Sequence, residues 1–387
     1  MPDGSDSLTL TAHPGIAAFT ASEWDACAGA DNPFVSHAFL SALEDSRSAC
    51  AAAGWAPQHL GLREASGRLL ACAPLYLKSH SYGEYVFDWS WARAYEQAGG
   101  RYYPKLQCAV PFTPVTGPRL LVPPGPDAES LRRTLAAGMV QVARRHGVSS
   151  LHVTFPTQDE AEVLAGQGFL TRIGTQYHWR NQGYASFDDF LATLSSRKRK
   201  AIRKERERAN GQGVTFRTLS GADIKPAHWD AFFRFYMATA DRKWGNPYLE
   251  REFFTLLGER LGDRVVLVLG EADGRPVCGA LNLRGGDALY GRNWGALGDF
   301  RFLHFEACYY RAIDHAIAHG LTWVEAGAQG EHKVSRGYLP RATWSAHWIA
   351  DPGFRAAVDR FLVDERALVE QDMDAVAEMG PYRKEGG

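Results

Sequence analysis

LGLREASGRLLACAPLYLKS (Leu60–Ser79) reads as two short runs of alternating apolar side chains on either side of a Ser66-Gly67 turn. That is the pattern of an antiparallel hairpin. It returns as LVLGEADGRPVCGALNLRGG (Leu267–Gly286), now around Asp273-Gly274. Outward from the hairpins, further matches keep the same order. NPFVSHAFLSALE (Asn32–Glu44) precedes the first and NPYLEREFFTLLGE (Asn246–Glu259) the second. LRRTLAAGMVQVARRHGVSSLHV (Leu131–Val153) and HFEACYYRAIDHAIAHGLTWVEA (His304–Ala326) follow as helices ended by Gly147 and Gly320, each leading into a strand. GQGFLTR (Gly166–Arg172) and SRGYLPR (Ser335–Arg341) close the series.

The offsets between the copies are 214 at Asn-Pro, 207 at the turn glycine, 173 at the helix cap and 169 at the last glycine. The chain is therefore a tandem duplication of one α/β (α+β) unit, each copy a mixed, mostly antiparallel sheet flanked by helices. The largest drop falls between hairpin and second helix, which places a long insertion at about 92–126 in copy one. The expected domains are 1–182 and 183–387, the second opening with a basic helical segment at 190–209.

With 387 residues, 45% of them hydrophobic and 22% charged, the composition is that of a globular protein able to fill a sizeable core. The net charge is −1 and the pI about 6.9, so no global field draws the chain to DNA or a membrane surface. Cys27, Cys50, Cys72, Cys108, Cys278 and Cys308 are scattered without a C-x-x-C pair, the usage of reduced thiols. MPDGSDSLTLTAHPGIAAFT at the start lacks a basic and then apolar leader, and no apolar run approaches the roughly 20 residues of a membrane span. A cytoplasmic location without membrane insertion is expected.

The order of helix, hairpin, further strand, helix and strand resembles acyltransferase domains of the GNAT type. Two in tandem, with HSYGEYVFDWSWA, YYPKL, PFTPVTGPR, SRKRKAIRKER and GAQGEHK…RGY, resemble the FemAB-like (peptidoglycan biosynthesis/recognition) branch, over about Asn32 to Asp364. The resemblance implies transfer of an acyl or aminoacyl group onto an amine. Acyl-CoA or aminoacyl-tRNA would be the co-substrate, with no tightly bound cofactor. The sequence departs from the GNAT phosphate loop Q/R-x-x-G-x-G/A: in RNWGALGDFRF (Arg292–Phe302), Arg292 and Gly295 fit, but Leu297 stands where a small residue belongs. Arg292 and Gly295 are the donor-binding candidates there.

Between the second helix and the closing strand the copies differ most. Copy one has a bland helical link, TFPTQDEAEVLAGQG; copy two, within EAGAQGEHKVSRGYLP (Glu325–Pro340), has GAQGEHKVSRG (Gly327–Gly337), four residues shorter and dense in ionisable groups. It lacks the glycine spacing of a Walker A loop, and Glu331 and His332 are adjacent rather than i, i+4, so neither phosphate nor metal fits. A solvated turn is the bland alternative. Attack of an amine on an ester or thioester needs a proton acceptor and donors for the developing oxyanion. Glu325, Glu331 and His332 are candidates for the proton, Lys333 and Arg336 for an anion, and backbone N–H groups near Trp294–Ala296 for the oxyanion. His304, at the head of the copy-two helix, is a further catalytic candidate, against the plainer reading of a cap or core histidine.

HSYGEYVFDWSWARAY (His80–Tyr95) reads either as a buried strand with Tyr85, Phe87 and Trp89 on one face or as one wall of an acceptor pocket. The second reading takes Tyr82, Asp88, Trp89, Trp91, Tyr103 and Lys105, with Trp294, as substrate-binding. SRKRKAIRKERER (Ser196–Arg208) carries eight basic residues interleaved with glutamate. It is either a solvated helix face or a landing site for donor phosphates, tRNA included, through Arg199 and Arg203. The expected activity is direct transfer to a small-molecule or peptide amine without a covalent enzyme intermediate. The alternative is a catalytically inactive binding module for a peptidoglycan precursor or peptide.

Overall fold

A computed structural model describes residues 8–243, 247–298, 300–327 and 330–383. Asn246 of the Asn-Pro match and Ala328–Gln329 of the charged loop lie outside the described residues. The strands in chain order are β1 (Thr9–His13), β2 (Trp55–Pro57), β3 (His59–Arg63), β4 (Leu69–Ala73), β5 (Leu75–Lys78), β6 (Lys105–Cys108) and β7 (Ser150–Thr154). There follow β8 (Leu170–Arg180), β9 (Val214–Ser220), β10 (Val265–Ala272), β11 (Arg275–Arg284), β12 (Ala288–Ala296), β13 (Trp323–Glu325) and β14 (Leu339–Ile349).

The chain forms two compact units: Met1–Gly174 with Ala342–Glu370, and Thr175–Arg341 with Gln371–Gly387. A single cut at 182/183 does not describe this partition. The reason lies in the closing strands. The far half of β8 pairs with β13, His178 opposite Glu325, whereas the far half of β14 pairs with β7, His347 opposite His152. Each copy's last strand thus completes the sheet of the other.

In the first unit, Leu60–Ser79 is a hairpin of β3 and β4 on a small sheet with β1. Pro74, which has no N–H to offer a ladder, separates β4 from β5. β5 then joins a second sheet between β2 and β6, and β6 runs parallel to β7. The proposed insertion at 92–126 therefore contains a core strand: β6 lies inside it, with extra chain both before and after. Helix Ala128–His146 packs Leu135, Met139 and Ala143 onto Leu106, Leu151 and Val153 of β6 and β7. Each fully buried Leu, Met or Val among these contributes about 1.5–3 kcal/mol. Its last turn carries Arg144, Arg145 and His146, which suit the negative end of the helix dipole.

In the second unit, β10 and β11 form a two-residue hairpin whose Asp273 (φ 49°) and Gly274 (φ 69°) are both left-handed, as a type I′ turn requires. The sheet runs β8-β13-β12-β11-β10-β9. Its core gathers Trp179, Leu289, Ile313, Tyr310 and Val324. The basic segment is two helices, Phe187–Ala192 and Ser196–Asn210, rather than one over 190–209.

Candidate active site

In the second unit β12 and β13 lie parallel for three residues, Ala288–Tyr290 against Trp323–Glu325. Beyond them β12 continues to Ala296, whereas β13 ends at Glu325. Opposite β11, the register jumps from Gly291↔Asn282 to Trp294↔Ala280, so β12 carries an extra residue there. A bulge of this kind bends its strand and re-aims side chains. At the fork Gly291 runs close to the neighbouring backbone: a Cβ there would lie 3.2 Å from the Glu325 carbonyl oxygen, a tight contact.

Glu325 sits at the fork. Its Oε1 is 3.8 Å from His178 Nδ1 on β8, and its buried Oε2 has no hydrogen-bond partner. Burial pushes its carboxyl up to about 8, against the opposing pull of Arg341. Gln176 Oε1 lies 3.2 Å from His178 Nε2, an arrangement in which the ring proton sits on Nε2 and the Nδ1 lone pair faces Glu325. Burial, then the charges of Arg341 and Lys333, hold His178 down at about 3, so it stays neutral.

The charged loop is a tight helical turn, Glu331–Arg336. Glu331 and His332 are exposed, and His332 is 2.9 Å from the Tyr309 hydroxyl. Lys333 is buried and donates to the Gly327 carbonyl at 2.8 Å; burial lowers its ammonium to about 8. Arg336 forks onto Glu205 (2.8 Å and 3.0 Å) and lies 3.5 Å over the Phe305 ring. Its geometry is that of a structural clamp between this turn and the basic helix. His304 packs among rings, 5.5 Å from Trp294 and 5.2 Å from Tyr309. The helical run 303–318 that carries it widens into i→i+5 bonds over Glu306–Tyr310, a form frequent at functional sites.

Of the donor candidates, Arg292 and Gly295 lie within β12 rather than in the loop that follows it. Packing accounts for Gly295: a Cβ would come within 2.1 Å of the Phe235 carbonyl oxygen. Arg203 is exposed and pairs with Asp188 at 2.8 Å, whereas Arg199 is half-buried.

The remaining substrate candidates fall in the first unit, and the strand reading of His80–Tyr95 is corrected. The segment is irregular to Asp88 and then helical over Trp89–Gln97, because left-handed Gly83 and Tyr85 break any extended run. Phe87 and Trp89 are exposed instead of buried. Lys105, fully buried, donates to Ser81 (2.7 Å), to Glu84 (2.7 Å) and to Asp88. Tyr102 donates to Asp88 at 2.6 Å and lies 3.2 Å from His152 Nε2. Tyr103 meets Ser81 at 2.8 Å, and Trp91 is buried against His347. Trp294, in the other unit, is not part of this cluster.

His178 and its relatives escaped the sequence reading, yet the repeat carried the signal. The 169-residue offset that aligns Gly168 with Gly337 also aligns His178 with His347 and Gln176 with Ser345. The 173-residue offset that aligns the helix caps puts His152 with Glu325. The structure repeats the construction: His347 Nδ1 is 2.6 Å from His152 Nδ1, and its Nε2 is 2.8 Å from Ser345 Oγ. Both units hold a histidine facing an ionisable group across two antiparallel strands, with a polar side chain two residues before it.

A family model for FemAB-like proteins, described as peptidoglycan biosynthesis/recognition, matches residues 15–384. Among solved structures, FemX aligns at a TM-score of 0.55 and 12% identity, over 88% of this chain and 98% of that one. The C-terminal domain (DUF2156) of an Agrobacterium fabrum protein assigned as a lysylphosphatidylglycerol synthetase aligns at 0.54 and 9%, over 89% and 95%. At these identities the likeness is one of fold. A comparison with curated proteins finds no match. Among the described residues no helix is long and apolar enough to cross a membrane, and no group of three or more His, Cys, Asp or Glu is placed to hold a metal.

Proposed function

The chain belongs to the FemAB-like family and is a transferase, and we propose that it moves an acyl or aminoacyl group directly onto an amine at the fork of β12 and β13. The observation that carries this reading is Glu325: a carboxyl at the parting of two parallel strands, with one buried oxygen unpartnered and a neutral histidine behind the other. Its role is to take the proton that the amine nitrogen must lose as it bonds to the ester carbonyl carbon. The C–N bond forms, the carbonyl electrons move onto oxygen, and collapse breaks the bond to the leaving oxygen or sulfur, which regains a proton. His178 Nδ1 faces the carboxyl so that it receives a hydrogen bond once Glu325 is protonated. The oxyanion would face backbone donors along β12 beyond the fork. His332, Lys333 and Arg336 shape the adjoining turn; Glu331 and His304 are second-rank catalytic candidates.

Aminoacyl-tRNA is the donor this reading favours. Arg197, Lys200, Arg203, Lys204 and Arg208 are exposed on Ser196–Asn210, which suits a polyanion, while packing accounts for Gly295 of the residual phosphate motif. The test is to incubate the protein and a panel of primary amines with charged tRNA or with acyl-CoA, and to look for new amides by mass spectrometry. A tRNA-dependent amide is expected. Amide from acyl-CoA alone would move the donor to CoA. Saturable binding of a peptidoglycan precursor with no amide from either donor would support the binding-module alternative.

A further inference from the structure

Segment Ser81–Trp89 of the first unit inverts the ordinary rule of burial. Its polar side chains, Ser81, Glu84 and Asp88, are buried, while Tyr82 (57% exposed), Phe87 (55%) and Trp89 (37%) are in solvent. Tyr82 and Trp89 meet edge to face at 4.9 Å. Beneath them, all three N–H donors of the Lys105 ammonium are spent on Ser81, Glu84 and Asp88. Both carboxylates are thus tied through one oxygen to the same nitrogen. Their other oxygens, Glu84 Oε1 and Asp88 Oδ1, are buried with no hydrogen-bond partner, Lys78 Nζ standing 3.9 Å from Glu84 Oε1, beyond hydrogen-bond distance. A third acceptor adds to them independently. Gln107, two residues along β6 and so on the same face as Lys105, gives its Nε2 to Thr154 at 2.9 Å and leaves a buried Oε1 without a donor.

A buried acceptor left unpaired costs about 1–3 kcal/mol, and more when it is charged. Two of these three belong to carboxylates, the costlier kind to leave unpaired. They call for a donor-rich cation, and the exposed rings beside them suit an organic one. Charge agrees with this. Lys78 Nζ stands 3.9 Å from Glu84 Oε1, but burial lowers its ammonium to about 7; His152 and His347 are kept neutral, so above pH 7 Lys105 balances only one of the two carboxylates. Burial also raises Glu84 to about 7, so a proton on this carboxyl competes with a cation.

We propose that the first unit holds a binding site for a primary ammonium group, received by Glu84, Asp88 and Gln107 and entered past Tyr82 and Trp89. The site does not depend on the transfer reading of Glu325. The ammonium displaces the proton on Glu84, so binding releases protons and strengthens as pH rises from 6 to 8. The test is calorimetric titration of the full-length protein with n-butylammonium, with n-butanol and tetramethylammonium as comparison probes, in buffers of differing ionisation heat. Saturable binding at one site is expected, at least tenfold tighter than either comparison probe. It should fall at least tenfold in Glu84→Gln and a few-fold in Trp89→Ala, whose side chain is outside the core and whose fold is checked by circular dichroism. It should persist in Glu325→Gln. The proposal is overturned by absent saturable binding at pH 8, by equal binding of n-butanol, by unchanged affinity in Glu84→Gln, or by loss of binding in Glu325→Gln.

Discussion

Glu325, proposed above as the proton acceptor, also bears on stability. In the unfolded chain its carboxyl ionises near 4.5; in the folded protein burial moves it to about 8. Between those values only the unfolded chain gives up the proton, so stability falls as pH rises from about 4.5 to about 8. Glu325→Gln removes that penalty. Thermal melts should show the variant close to wild type at pH 5 and clearly more stable at pH 8. Equal melting at both would mean that the carboxyl is solvated in the folded state. This residue was legible in the sequence because it ends a strand in the copy with the unusual loop. Its partner was not. His178 lies just before the expected boundary at 182/183, and only strand pairing brings it opposite Glu325.

At the scale of elements, the basic helix has two faces with different duties. Arg206 turns inward to Glu306 (3.1 Å) and Asp314 (2.6 Å), and Glu205 receives Tyr310 and Arg336. Lys200 and Lys204 stay in solvent. Removing one partner of a buried ion pair costs about 3–5 kcal/mol. Arg206→Ala leaves the fully buried Glu306 with Arg311 as its one remaining arginine partner among the described residues, so a loss toward the lower figure is expected in urea unfolding. Lys200→Glu with Lys204→Glu should leave stability within about 0.5 kcal/mol. The same pair should weaken tRNA binding and flatten its salt dependence if those side chains meet phosphates. Sequence showed the charge density but not which arginines were already engaged, since that depends on which helix face the core covers. The insertion at 92–126 misled for a related reason. β6 is only four residues long, KLQC, too short for its periodicity to stand out between loops.

At the scale of the molecule, the duplication and the mixed sheets were readable from ordered matches and turn glycines. The exchange of closing strands was not, because copies with the same order of elements leave no mark in the sequence of which sheet each strand joins. It has a direct consequence. A fragment ending at 182 lacks Ser345–Ile349, the partner of β7, and should aggregate through that open edge. Joining Gly174 to Ala342 and ending at 370 restores the strand and the helix after it. Gly174 already lies against Thr343, where an added Cβ would be 3.1 Å from Oγ1. That shortened chain should be soluble and melt cooperatively, as followed by circular dichroism.

The proposed proton removal at Glu325 is measured most directly by the pH–rate profile of transfer. Amide formation from charged tRNA should rise with pH through an apparent pKa near 8 in the wild-type protein. It should fall by about 10²–10⁴ in Glu325→Gln, the usual contribution of a general base. A Glu325→Gln variant with wild-type rates across that range would contradict it.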